Sequence, residues 1–553
     1  MAGLAGACYS HPMRRNRALY AALLAVAVSA LVGGFFGKAA LATQDRVPDQ
    51  YRLFTSALNA VEANYVGTVE SERLVYGAIS GMLQTLDPHS NFMDPKSYAQ
   101  MRERQEGRYY GLGVSISVAD GDITVVQLFE GSPAHQSGLR RGDVIARIEN
   151  KETRGWTTEQ AVKQLKGPKG TTVKIGIRRQ GYDALLPLEV MRDEIHIVTV
   201  RSYFMIDATT GYLQLTEFAE NSNAEVGRAL AELASKGMKR LVFDLRSNPG
   251  GALDQAIKIS NRFLPKGDLI VYTRGRVANS DQDYRATETS DYTNLPMIVL
   301  TNRNSASASE IVSGALQDHD RALIVGETTF GKALVQSVYR ISQGAGLSVT
   351  TARYYTPSGR LIQRPWDGTF DEYLSYTSRE QDPNKVHSAA DLKLTDGGRK
   401  VYSGGGVEPD RRMDGPVDGF TPARFTRMLY NRQLFDTFAQ RFSRKGDTRF
   451  PPSTSKERHE LEANFTVSDA MLQEFRDMLV RMRVEIDETA WQKDAEFLRA
   501  MIRYEIDLDL FGGAEAKRHL SAVDPQVKYA LTLFPEAQKL GELGKRQGQT
   551  AQN

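Results

Sequence analysis

The sequence of 553 residues contains one cysteine, Cys8, so no intramolecular disulfide can form, and beyond the first residues there is no thiol nucleophile. Net charge is nearly absent too, +3 at pH 7 over the whole length, which leaves no electrostatic footprint for DNA or RNA. Nucleic acid is therefore not expected as a partner. No H-E-x-x-H spacing occurs, so the paired histidines of a zinc protease are missing and neither a metal nor another cofactor is expected. Long apolar runs are missing except at residues 18–37, which follow Arg14, Arg15 and Arg17 and precede Lys38 and the small residues 39–42. Charged n-region, apolar h-region and an A-x-A-like site make residues 1–45 a signal peptide or a membrane anchor, since about 20 apolar residues also just span a bilayer. Positive charge stays inside, so the bulk of the chain is expected outside the cytoplasm, in the periplasm, free or anchored in the inner membrane by 18–37. Both the cleavage of this segment and the choice of Met1 or Met13 as the start stay open.

What is present is an ordinary globular composition, 41% hydrophobic and 25% charged, with length for roughly three to five domains. From 46 to 105 the residues Leu53, Phe54, Leu58, Val61 and Tyr65, then Leu74, Ile79, Met82 and Leu83, recur at helical spacing, interrupted by the turn residues LDPHSNFMDP (86–95). His89 in that turn reads as ordering its loop, since no nucleophile stands near it in a recognisable pattern. Between 106 and 193 short β runs alternate with glycine: 111–118, 122–129, 141–150 and 171–179, with one helix predicted over 158–165. Residues 194–412 alternate strand and helix, with strands predicted at 211–218, 240–247, 268–274, 296–302 and 321–327, and helices at 224–234, 253–263 and 306–317. This pattern predicts an α/β core with a largely parallel sheet, whose chemistry sits at the C-terminal ends of strands. The remainder, 413–553, reads as helical. Ser468 is an N-cap with Val467 and Leu472 as a staple, a second helix is predicted over 491–510, and a disordered tail after Leu540.

Three loops carry chemistry. In NRNSASASEIVSGALQD (302–318), Ser305, Ser307 and Ser309 crowd a predicted helix N-terminus, where free N–H groups favour a developing oxyanion. One serine is explained by capping alone, and spacing does not say which of the three is a nucleophile. In DLRSNPGG (244–251), Gly250 and Gly251 let the backbone approach a ligand. In GETTFGKALVQS (326–337), Gly326, Gly331 and Lys332 fit G-x-x-x-x-G-K, but Ala333 replaces the magnesium-binding hydroxyl and a strand is predicted to follow, which argues against nucleotide binding. A buried Lys332 is instead suited to be a general base, and Gln336 falls on its face if 332–340 is a strand.

Together these motifs, with ARYYTPSGR (352–360), GGVEPD (405–410) and LDPHS, resemble the carboxyl-terminal processing (tail-specific) proteases over about residues 50–412. The resemblance implies a multi-domain α/β fold, with a crotonase/ClpP-like protease core, an inserted PDZ domain built as a partly open β-barrel, and helical N- and C-terminal segments. It implies Ser307 as nucleophile, Lys332 as base, Gln336 as orienting partner, and the amides of Gly251 and Ala308 as oxyanion hole. Gly111, Leu112, Gly113 and Val114 would form the PDZ loop that receives a polypeptide C-terminus on a free sheet edge. Ala333 stands where the family has glycine, residues 364–400 form an insertion, and 413–553 lie outside the motif-bearing region. An activating partner or a homo-oligomer stays open. The competing reading is a PDZ scaffold or adaptor that binds C-termini without cutting them.

Overall fold

The computed structural model describes residues 46–366, 372–373, 375–378, 386–413, 422–447 and 458–550; the apolar segment 18–37 lies outside them. Among the described residues no helix is long and apolar enough to cross a membrane. The chain divides into two compact units, residues 1–85 and 86–553. Within the first are α1 (Arg46–Asn64) and α2 (Ser71–Gln84), as the spacing predicted, although Tyr51, Leu53, Phe54, Val61 and Tyr65 of α1 and its C-terminal turn remain exposed.

The second unit opens with β1 (Asn91–Met93) and α3 (Pro95–Glu106), the helix capped by Asp94 and ended by Gly107 in a left-handed conformation. β2 (Arg108–Gly111) then leads into an antiparallel sheet of β3 (Val114–Ala119), β4 (Asp122–Leu128), β5 (Val144–Ile148), β6 (Thr172–Arg178) and β7 (Leu186–Met191), paired in that order. The sheet is open, and no pairing between described strands closes it. Alternation is strict in β6, where Val173, Ile175 and Ile177 point inward to meet Ala161 and Leu165 of α4 (Thr158–Leu165). The Thr157/Gln160 capping box starts α4. β8 (Asp193–His196) returns beside β2, so this module is inserted through a two-stranded neck. β7 and β8 are strands that the sequence reading missed.

Along the chain follow β9 (Val200–Met205), β10 (Thr210–Leu215), α5 (Ser222–Ser235), β11 (Arg240–Asp244), α6 (Leu253–Asn261), β12 (Leu269–Gly275), β13 (Met297–Thr301), α7 (Ala308–Asp318), β14 (Leu323–Gly326), β15 (Leu334–Arg340), β16 (Gly346–Tyr355) and β17 (Arg411–Arg412). The central sheet has the order β9-β10-β11-β13-β14-β17 and is parallel from β10 onward. Its strands read as unbroken apolar runs because both faces are covered. Val226, Leu230, Ile259, Val312 and Leu316 of α5, α6 and α7 cover one face. β12, expected in this sheet, belongs instead to a second, antiparallel sheet with β1, β15 and β16.

The C-terminal helices are α8 (Arg424–Asn431), α9 (Leu434–Ala439), α10 (Asp469–Arg481), α11 (Glu488–Lys493), α12 (Ala495–Leu510), α13 (Gly513–Val523), α14 (Pro525–Thr532) and α15 (Phe534–Thr550). Ser468 caps α10 as expected, accepting from Met471 N at 3.2 Å. The single helix expected over 491–510 is broken at Asp494, whose buried carboxylate accepts from Ala423 N and Thr426 Oγ1. α14 and α15 complete the core: Val527, Ala530, Phe534, Ala537 and Leu540 cover the second face of the central sheet against Val242, Ile298, Leu300 and Val325. The stretch after Leu540, expected to be a disordered tail, is helical as far as Thr550.

Candidate active site

β13 delivers its C-terminal end to the loop 302–307, and α7 starts at Ala308. The structure separates the three serines that spacing could not. Ser305 is fully buried, its hydroxyl donating to Leu245 O at 2.8 Å, and buried Ser309 donates to Asn248 O at 3.0 Å. Both hydroxyls are committed to the backbone of the neighbouring DLRSNPGG loop. Ser307 is half-buried, and its hydroxyl donates to no acceptor among the described residues. It also holds φ 55° and ψ −111°, a conformation that costs a non-glycine residue on the order of 1–3 kcal/mol and persists only when its surroundings impose it.

Glu310, three residues on, does much of the imposing. Fully buried, its carboxylate accepts from Ser307 N at 2.8 Å, Thr329 Oγ1 at 2.5 Å, Gly331 N at 2.7 Å and Lys332 N at 2.9 Å. One side chain thus joins the serine loop to the lysine loop, while burial pushes its carboxyl up to about 7 against these four donors. Tyr354 adds a second tie, its hydroxyl lying against Ser307 O at 3.0 Å and against Lys332 O. Sequence reasoning gave neither residue a role, although the S-x-x-E spacing at a helix start was a readable sign for Glu310.

Gly250 packs directly on this helix start, and Gly251 packs on Phe218. A Cβ on Gly250 would fall 2.8 Å from both Ser307 Cβ and Ala308 N, and one on Gly251 (φ +145°) would strike Phe218 O. The bridge to Phe218 uses Gly250 O and Ala252 N, on either side of the Gly251 N–H. Ala308, as the first residue of α7, has an N–H without an intrahelical partner.

Lys332 and Gln336 meet: Nζ donates to Oε1 at 3.0 Å. The meeting does not depend on the strand geometry assumed from sequence, since β15 begins only at Leu334 and its register against β16 shifts between Val335 and Gln336. Gln336 Nε2 donates to His89 O, so the amide is oriented with its oxygen toward the lysine. Burial lowers the affinity of Lys332 for its proton, and the Glu310 and Asp87 carboxylates oppose that shift. The loop is ordered by Asp87, which accepts from His89 N and Ser90 N at 2.7 Å, rather than by the His89 ring, which lies close enough to Lys332 to feel its charge, a proximity the sequence reading missed. The ring nitrogen Nε2 lies 2.8 Å from the Tyr373 hydroxyl. The loop after β14 runs on into strand β15, so the G-x-x-x-x-G-K match lacks the helix that a phosphate cradle needs.

Gly111, Leu112, Gly113 and Val114 sit where β2 ends and β3 begins. Leu112 O and Gly113 O accept from Ala134 N and Phe129 N, which turns these carbonyls into the module, and a Cβ on Gly113 (φ +77°) would collide with Ser132. Beyond β4, β3 has no strand partner among the described residues.

Residues 209–369 match the model of peptidase family S41, 100–178 that of the PDZ domain, 37–97 that of the activating protease CtpB N-terminal domain, and 425–512 that of a family of unknown function. The chain is 41% identical over 319 residues to the carboxy-terminal-processing protease of Bartonella bacilliformis, covering 57% of this chain and 73% of that protein. Against the carboxy-terminal processing protease CtpA of Bacillus subtilis, identity is 33% over 350 residues, covering 63% and 74%. The solved structure of a photosystem II D1 C-terminal processing protease aligns with 66% of this chain and 93% of its own at 27% identity, with a TM-score of 0.34.

Proposed function

Given that the chain belongs to the carboxy-terminal processing proteases, we propose that it cuts polypeptides with Ser307 as nucleophile and Lys332 as general base. Neutral Lys332 takes the Ser307 proton as Oγ attacks the scissile carbonyl carbon, and the N–H groups of Gly251 and Ala308 receive the oxyanion. The protonated lysine returns its proton to the leaving amine as the C–N bond breaks. Water then cleaves the acyl-enzyme ester with Lys332 again as base. Gln336 orients the amine throughout. The observation that carries this reading is the contrast among the serines: Ser305 and Ser309 have their hydroxyls bonded to backbone, while that of Ser307 is free to donate at a strained helix start tied through Glu310 to the lysine.

The PDZ module selects substrates by their C-termini at Gly111–Val114, with the peptide added as a strand to β3. The enzyme works in the periplasm, released or held at the inner membrane by residues 18–37. Because Lys332 must be neutral to act, activity rises with pH through its lowered pKa. The test is degradation of an unfolded polypeptide by the parent chain, Ser307→Ala and Lys332→Ala, each checked for folding by circular dichroism. Both variants are expected to be inactive while folded; a folded Lys332→Ala variant that cuts at the parent rate sinks the assignment.

A further inference from the structure

The segment 364–400 reads as an addition to the family pattern, yet its first residue meets the lysine loop, Arg364 N donating to Gly331 O at 2.9 Å. Tyr373, 4% exposed, stacks edge-on against His89, with ring centroids 5.3 Å apart and planes at 80°, and edge-on against Phe330 at 5.7 Å. The Arg364 guanidinium lies over the rings of Phe330, Tyr373 and Tyr376 at 4.4, 4.3 and 3.7 Å, and its Nη2 donates to Tyr373 O at 2.8 Å. Tyr373 is thus fixed in both ring and backbone.

Its hydroxyl is bonded on two sides. Ala333 N can only donate, and it donates to Gln363 Oε1 at 2.8 Å, so the Gln363 amide presents its Nε2 to the Tyr373 oxygen, 3.0 Å away. With that lone pair occupied, the Tyr373 hydrogen is left for His89 Nε2. In the tautomer that gives the Tyr373 hydrogen an acceptor, the imidazole accepts there and carries its own proton on Nδ1. Asp87, Lys332, Arg364 and Tyr373 are the titratable or charged groups that face this ring, and burial with the nearby Lys332 lowers its pKa to about 4. The same residue's carbonyl holds Gln336 Nε2, and Gln336 Oε1 holds Lys332 Nζ. The polar chain therefore runs from Ala333, beside the lysine, through Gln363, Tyr373, His89 and Gln336, and back to Lys332.

We propose that Tyr373 of the 364–400 segment is a positioning residue for the proton-transfer pair, acting through His89 on Gln336 and Lys332. This rests on the serine-lysine reading above. It makes Tyr373 part of the support of the base, so loss of its hydroxyl contact releases the His89 ring and with it the orientation of the Gln336 amide.

The experiment is steady-state cleavage of an unfolded polypeptide by the full chain, with kcat and KM resolved and pH varied, for Tyr373→Phe, His89→Ala, His89→Gln and the Tyr373→Phe/His89→Ala double variant. Phenylalanine keeps the ring and its packing, so folding is preserved and only the hydrogen bond is lost. Tyr373→Phe is expected to lower kcat about tenfold with KM unchanged, within the roughly 100-fold that a misplacement of about 1 Å can cost. Burial and Lys332, which hold the His89 pKa low, are untouched in this variant, so no histidine ionisation is expected to enter the acid limb of its profile. The double variant should fall no further than the worse single one, because both cut the same chain, and His89→Gln, which can still accept from Tyr373, should outperform His89→Ala. Tyr373→Phe with parent kcat, or a loss confined to KM, overturns the inference. If the parent cuts, Lys332→Ala is dead and Tyr373→Phe matches the parent, the positioning role alone fails. If Lys332→Ala still cuts, the serine-lysine reading itself fails.

Discussion

Two buried charge clusters in the second unit are organised in opposite ways. At Glu310 one carboxylate serves four donors, three of them backbone amides of the serine and lysine loops. At Arg141, on the PDZ module, one guanidinium serves three carboxylates of the C-terminal helices: Asp436 at 3.1 Å, Glu505 at 2.5 Å and Asp509 at 3.0 Å. Its Nε is also taken, by Val126 O at 2.9 Å. The first cluster is saturated with hydrogen-bond donors and fixes backbone. The second carries excess negative charge, and it joins two modules with side chains alone, helped by Gln433 donating to Ser117 Oγ at 3.1 Å. Both clusters titrate, the first near 7 at Glu310 and the second near 6 at Asp436, but a proton on the first displaces bonds to backbone whereas a proton on the second relieves repulsion among carboxylates.

The comparison breaks most severely at Glu310→Gln. An amide has one acceptor atom where the site presents four donors, and its NH₂ would face N–H groups that cannot accept, leaving buried donors unpaired at about 1–3 kcal/mol each. Cleavage of an unfolded polypeptide is expected to fall by more than about 100-fold, as a displaced catalytic loop would cause. Parent-like kcat would show that backbone packing alone holds Ser307 and Lys332. The next largest effect is on stability. Arg141→Ala strands three carboxylates in a poorly solvated interface, and breaking a buried pair in this way costs about 3–5 kcal/mol. Urea unfolding of the full chain should show this as a lower midpoint, or as a separate earlier transition if the C-terminal helices part from the PDZ module first. An unchanged midpoint means that water reaches those carboxylates and the cluster contributes nothing.

The same contrast explains what was legible in the sequence. The chemistry of the serine and lysine loops is carried by short spacings, of which Lys332 to Gln336 was read and Ser307 to Glu310 was not, and the strands of the central sheet announce themselves because burial on both faces demands unbroken apolar runs. Which serine is free to donate was not readable, because the partners that occupy Ser305 and Ser309 come from the loop some 60 residues earlier. β12 was placed in the wrong sheet because an apolar run records burial and says nothing of which strand lies beside it. The Arg141 cluster was beyond any local reading, since its partners lie 364 and 368 residues away for Glu505 and Asp509. Likewise Tyr373 reaches His89 across 284 residues, and nothing in the composition of the 364–400 segment marks that tyrosine out.

The smallest expected effect is the most selective one. Burial, with Asp509 and Glu505 as like charges, raises the Asp436 carboxyl to about 6 against the pull of Arg141, while the unfolded chain titrates near 3.8. Between those values the folded protein holds a proton that the unfolded chain has released, so stability from this group is fully present below about pH 4 and lost as pH rises through 6. The difference between the two values corresponds to about 3 kcal/mol as an upper figure, reduced by the interaction among the three carboxylates. Asp436→Asn keeps the shape and removes the titration. It is therefore expected to match the parent at pH 4.5 and to exceed it by about 1–2 kcal/mol in urea unfolding at pH 7.5, where the parent must hold three anions around one cation. A variant less stable than the parent at pH 7.5 would mean that the third carboxylate binds Arg141 more strongly than its neighbours repel it, and the two clusters would then differ in number of partners but not in kind.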